Sequence, residues 1–246
     1  LGSIQLANAQ EVRLVGNKVE TFINDNEQSS RLTELVSAAL KDTPHTITKT
    51  TQAWSGSGLS NGSFEGYIDH YSLDDPKQNY LYSLPYVQLN LHVASTQEDA
   101  VSIFRLDQLN RQRVGLETRF ANTDVVRSER SVSWARTQDF FTNIQQLAEQ
   151  RLDYIVADKI MLEEMNKMLR GIGQEPLNIS TKPIFVLNVS IGMRANYEGA
   201  QSFINTFNDG IGRLRNTSEY DVIYYPAESA GSILDAPVYE KILKRW

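Results

Sequence analysis

The sequence predicts an α/β fold made of two similar units joined by two long strands. Three observations carry that prediction. Short strand-like segments alternate with amphipathic helical ones, and the alternation runs through once before residue 93 and again from about residue 95. Two segments, Tyr86–Val93 and Pro183–Gly192, are longer and more continuously apolar than the other strands, and each stands where one unit would pass to the next. The 246 residues, 41% of them hydrophobic, are enough to bury a core in each unit.

Each element has a local reason. Glu11-Val12-Arg13-Leu14-Val15-Gly16 alternates polar and apolar and stops at a glycine, as a short strand does. Between Ser30 and Leu40, the residues Leu32, Leu35, Val36, Ala39 and Leu40 share one helical face, with Ser30 placed to cap it. His45 to Thr50 is β-branched and predicts a strand, and a short helix with Trp54 and Leu59 follows, closed by a turn at Asn61-Gly62. Phe64 to Asp69 predicts the third strand. Val87, Leu89, Leu91 and Val93 then fall on one face of a long strand, before a polar connection from Ser95 to Gln112.

The second unit repeats the grammar. Arg113-Val114-Gly115-Leu116 opens a strand, and Thr137–Glu149 is an amphipathic helix through Phe140, Phe141, Ile144, Leu147 and Ala148. Asp153–Ala157 is a strand and Lys159–Leu169 a helix. After the second long strand, Tyr197–Ile211 turns Phe203, Ile204 and Phe207 inward. The tail ends in a helix, Pro237–Trp246, expected to dock on the first unit. The expected division is 11–94 with 190–246 as lobe one and 95–189 as lobe two, with a cleft between them as the natural ligand site.

Composition narrows the function. With 24 Lys+Arg against 30 Asp+Glu and no basic run, the chain is a poor nucleic-acid binder. No stretch approaches the roughly 18 apolar residues of a membrane helix, so membrane insertion is not expected. The absence of cysteine removes disulfides, thiolate metal sites and Cys nucleophiles together. His45, His70 and His92 stand apart without metal-ligand spacing, and neither a nucleophile elbow nor a dinucleotide fingerprint occurs. No catalytic residue, metal or cofactor is therefore expected. Ala7-x-Ala9 before Glu11 has the small-x-small form of a signal-peptide cleavage end, and equally that of an unstructured terminus.

Several segments resemble the amino-acid-type (family 3) periplasmic solute-binding proteins. Trp54 to Ile68 is similar to that family's W-x-x-x-x-x-L-x-x-G-x-x-D-a-i segment, Ser72 to Tyr86 to its S-x-T-x-x-R…F-S-x-P-Y, and Gln150 to Asp158 to its G-r-x-D-a-v-x-x-D. The order of elements extends the likeness from about residue 11 to about residue 225. The resemblance implies a two-lobed periplasmic-binding-protein-like fold with two crossover strands. It implies a monomer that captures a small polar solute in the periplasm and passes it to a membrane permease of the ABC type. A sensory module with an altered cleft, working with a sensor protein, is the alternative; a dehydratase-like enzyme using Glu117 or Asp158 is a weaker third.

The departures from the family pattern are specific. Asn17 to Ser30 lacks the aromatic loop and the G-F-D of the family. Val114 to Phe120 replaces the glycine–threonine turn that grips a ligand carboxylate, and the family arginine falls on Pro76 or Lys77. Lysine offers a point charge where arginine offers a bidentate fork, so the usual α-carboxylate clamp is weakened or lost.

Candidate ligand residues follow, each with a plainer role beside it. The resemblance makes Asp158 the acid for a ligand ammonium, and its position also suits a helix N-cap. Lys77 is the candidate anion contact or a surface lysine, with Ser72 supplying a hydroxyl nearby. Trp54 can stack on a ligand at the rim or join the core. Asp69 and His70 end the third strand on the side where ligands sit in open α/β sheets, and His70 equally suits a buried structural histidine. Tyr86 flanks the first long strand and can pack or touch ligand. Asp153 reads as a turn residue.

Overall fold

The structure, a computed structural model, describes residues 10–18, 30–72, 78–121, 123–227, 231–234 and 236–246. The Ala7-x-Ala9 segment, Pro76 and Lys77 lie outside the described residues.

In the first half, β1 (Val12–Asn17) pairs in parallel with β2 (His45–Thr50) and with β3 (Gly66–Tyr71). The crossovers are α1 (Arg31–Ala39) and α2 (Gln52–Asn61). Leu32, Leu35, Val36 and Ala39 of α1 are buried, as their spacing requires. Ser30 holds the N-cap position without capping: its hydroxyl meets Thr33 Oγ1 at 2.5 Å and makes no hydrogen bond to the backbone N–H groups. The turn after α2 rests on Gly62 at φ 82°, the left-handed conformation that glycine takes without penalty. A three-residue strand, β4 (Tyr80–Tyr82), follows.

The first long strand is β5 (Val87–Ser95). Two 3₁₀ turns, Glu98–Ser102 and Leu106–Leu109, occupy the polar connection. The second half then contains β6 (Arg113–Glu117), the short helices α3 (Thr118–Ala121) and α4 (Asp124–Ser128), and β7 (Ser133–Thr137). It continues with α5 (Phe140–Ala148), β8 (Tyr154–Asp158), α6 (Lys159–Gly171) and the two-residue β9 (Asn178–Ile179). Asp153 ties its turn to Arg113 at 2.8 Å, the structural role expected of it.

The second long strand, β10 (Phe185–Arg194), makes the two halves one hydrogen-bonded system with strand order β2-β1-β3-β10-β5-β8-β6-β7. β5 and β10 are antiparallel and each changes partner along its length. β5 pairs with β10 over Val87–Leu91 and with β8 over Leu91–Ala94. β10 pairs with β5 over Phe185–Val189 and with β3 over Val189–Met193. Each long strand thus starts in one half and finishes in the other, which is the expected double crossover.

The tail differs from expectation. After α7 (Ala200–Arg215) and α8 (Glu219–Tyr224), which pack on α1, the chain crosses back to the second half. There Ile233 N donates to Glu164 Oε2 of α6 at 2.9 Å. The last helix, α9 (Ala236–Leu243), docks on α5, with the Tyr239 and Phe141 rings edge to face at 5.3 Å and Arg245 on Glu149 at 2.6 Å. Residues 236–246 thus pack on the second half, where the sequence predicts docking on the first unit, and the tail adds a third connection between the halves. The physical reason is the buried face of α9: Tyr239 and Ile242 find their apolar surface on α5.

Candidate functional site

Polar and charged residues gather at the carboxyl ends of four strands of the parallel parts of the sheet. β1 ends in Asn17, β3 carries Asp69 and Tyr71, β6 ends in Glu117, and β8 ends in Asp158. In open parallel sheets this is the edge at which ligands sit, because backbone and helix N-termini point there while the sheet faces are covered.

Asp69 is almost wholly buried. Its Oδ2 accepts from Asn17 N at 3.2 Å and from Asn17 Nδ2 at 3.0 Å, and Asn17 is held in turn by Ser55 Oγ at 2.8 Å. Oδ1 is buried without a hydrogen-bond partner among the described residues. Burial pushes this carboxyl up to about 6, against the pull of the Asn17 hydrogen bonds and the Arg119 charge.

Asp158 is the matching acid in the second half, also buried. It occupies the N-cap position of α6 without a side-chain capping hydrogen bond, and its Oδ2 has no partner among the described residues. Burial again pushes the carboxyl up to about 6. Arg31, the backbone N–H groups of Met161 and Ile160, and Arg119 all favour the ionised form.

Two guanidinium groups stand against these carboxylates. Arg119, buried in α3, donates from Nη2 to Glu117 Oε2 at 3.1 Å and from Nη1 to Tyr71 OH at 3.1 Å. Burial disfavours its charge, but Glu117 and Tyr71 more than offset that, and its pKa rises. Burial dominates at Tyr71 and pushes its hydroxyl up to about 12. Arg31 opens α1, is 6% exposed, and lies 5.1 Å from the centre of the Tyr224 ring. Burial lowers its pKa, with Asp158 the largest opposing influence. The Tyr224 hydroxyl is buried without a partner among the described residues.

Of the residues expected from sequence, Asp69 and Asp158 belong to this group. Trp54 sits in the first turns of α2, 73% exposed, beyond the carboxyl end of β2 and outside the core. Three others make contacts within the fold. His70 is buried, with Nδ1 3.0 Å from Tyr67 OH and its ring 4.2 Å from the Tyr82 ring. Tyr86 is fully buried, donates to Ile68 O at 2.5 Å, and packs edge to face on Phe207 at 5.2 Å. Ser72 Oγ accepts from Asn188 N of β10 at 2.9 Å, which fastens the end of β3 to the crossover strand. Arg31, Tyr71, Arg119, Asn17 and Tyr224 were not singled out by the sequence reading. A usable signal existed for two of them: Arg31 begins an otherwise apolar helical face, and Glu117-x-Arg119 closes an apolar strand.

No family model matches the chain, and no curated protein is similar to it in sequence. Solved structures are similar in fold. The GluR0 ligand-binding core in complex with L-glutamate superposes with a TM-score of 0.71 at 11% identity, covering 88% of this chain and 97% of that one. An amino acid ABC transporter substrate-binding protein from Streptococcus pneumoniae, bound to L-arginine, gives 0.65 at 11% identity and covers 94% of each. A histidine kinase sensor domain with similarity to periplasmic binding proteins gives 0.67 at 17% identity, covering 87% of this chain and 95% of that one. The chain thus has the two-lobed α/β fold seen in these periplasmic-binding-protein structures.

Proposed function

We propose that the chain is a solute-binding protein that closes two lobes around a small polar solute, an amino acid or a related compound. In this reading residues 11–94 with 190–227 form one lobe and 95–189 with 231–246 the other. The protein works outside the cytoplasm as a monomer, performs no catalysis, and passes its solute to an ABC-type permease. One observation carries the proposal: Asp69 in one lobe and Asp158 in the other are buried carboxylates near strand ends, and each keeps an oxygen without a partner among the described residues. Buried polar atoms are satisfied almost everywhere in folded proteins, so two carboxylate oxygens left over at the strand ends support a place for an outside donor. An ammonium, amide or hydroxyl group of a solute is such a donor.

The test is a thermal-shift screen over amino acids, short peptides, organic acids, amines and sugars. A solute that binds only the folded form raises the melting temperature by mass action, about 2.7 kcal/mol of stabilisation at a hundred times its Kd. At least one amino acid or amine is expected to do so. A flat screen across all classes would remove the proposal.

A sensory role is the second reading, favoured by the polar contacts that already bridge the halves, Arg119 to Tyr71 above all. Neighbouring permease and ATPase genes would support transport, and a neighbouring membrane kinase would support sensing. An enzymatic role is less favoured, because Glu117, one of its two candidate acids, is committed to Arg119.

A further inference from the structure

We propose that Arg119 is the cleft's own ligand: a guanidinium, carried by the second lobe, that bridges to the first at Tyr71, closes the lobes without solute, and keeps a free guanidinium out of the place it fills. The exclusion rests on the solute-binding reading above; the closure does not.

A ligand closes a two-lobed protein because it contacts both lobes at once and so binds the closed form better than the open one. Arg119 meets that requirement from within the chain. It is anchored in α3 of the second lobe and reaches the Tyr71 hydroxyl of β3 in the first, at 3.1 Å. Its charge favours the ionised forms of both Asp69, in the first lobe, and Asp158, in the second. Glu117, two residues earlier, accepts from Nη2 at 3.1 Å and fixes the plane of the fork. The next residue, Phe120, seals the bridge: its ring meets the Tyr71 ring edge to face at 5.4 Å.

The arrangement is buried, with the Arg119 side chain 13% exposed and Glu117 3%, so salt and water screen it little. Arg31 acts in the reverse direction, from α1 of the first lobe toward Asp158 of the second. Lysine at position 119 would supply a point charge unable to serve Glu117 and Tyr71 together. A tethered group also competes at an effective concentration in the millimolar range or above, more than a scarce organic guanidinium reaches.

The sequence has no cysteine, so Ser57→Cys on α2 and Ser128→Cys on α4, both exposed, give two unambiguous spin-label sites, one per lobe. In solute-free protein the labelled chain is expected to show one narrow distance distribution. Tyr71→Phe and Arg119→Lys, each keeping the local volume, are expected to shift it to longer distances and broaden it. Arg119→Gly vacates the place, and millimolar methylguanidinium is then expected to restore the narrow distribution and raise the melting temperature of that variant while leaving the parent chain unmoved. A broad distribution in the parent, or unchanged distributions in both Tyr71→Phe and Arg119→Lys, would overturn the closure. Methylguanidinium that fails to act on folded Arg119→Gly would overturn the ligand role; should that variant not fold, the two milder ones decide. A solute screen that finds nothing leaves these distances as they are, so the two proposals fail separately.

Discussion

Asp158 is where stability and, in the proposed function, recognition meet in one residue. Its sequence position fits a helix cap and a ligand acid equally, and the structure keeps both: the Met161 and Ile160 N–H groups favour its ionised form as at a cap, and Oδ2 has no partner among the described residues. The carboxyl is held at about 6, above its unfolded value near 3.9, so the folded state holds its proton more tightly. Stability from this group therefore falls as pH rises through the window from about 4 to about 6, and the full penalty stands above it. Asp69, also at about 6, adds a penalty of the same sign over the same window. Asp158→Asn and Asp69→Asn are each expected to match the parent near pH 4 and to be more stable at pH 8, by something on the order of 2–3 kcal/mol. Urea unfolding at both pH values checks this; variants less stable at pH 8 would show these carboxylates to be structural.

At the scale of elements, packing decided more than pattern. α7 lies so close to α1 that a Cβ on Gly210 would come within 2.1 Å of the Ala39 carbonyl oxygen. Backbone cannot yield there as a flexible side chain can, so Gly210→Ala is expected to cost at least about 1–3 kcal/mol, measurable by denaturant unfolding. Tyr239→Ala on α9 is expected to cost about 3 kcal/mol, because the ring is fully buried on Phe141. A smaller loss, with α9 still protected from exchange, would show the docking to be loose.

The elements read correctly from sequence were those with a repeating apolar face, such as α1, α5, β5 and β10. β7, Ser133-Trp134-Ala135-Arg136-Thr137, escaped because an edge strand has one neighbour and needs no alternation strong enough to see. The helical state of Tyr220–Tyr224 and the return of the tail to α5 escaped because both depend on surfaces far away in sequence. The site was half legible for the same reason. Asp69 and Asp158 could be placed at strand ends, whereas Arg31 and Arg119 gain meaning only from the carboxylates they face.

On the scale of the whole molecule, three chain crossings, two of them strands in the sheet, join halves that present opposed acids and guanidinium groups to each other. In the proposed function the halves change their distance, and a solute would gain affinity by contacts made only when they close. The central claim is that a solute donor engages Asp158 there. Calorimetric titration of the best solute from the screen into the parent chain and into Asp158→Asn, at pH 7.5, tests it most directly. The account predicts that the variant, at least as stable as the parent, loses more than about tenfold in affinity, or roughly 1.5 kcal/mol, as a charge-assisted contact requires. Equal affinity in the two proteins would contradict it.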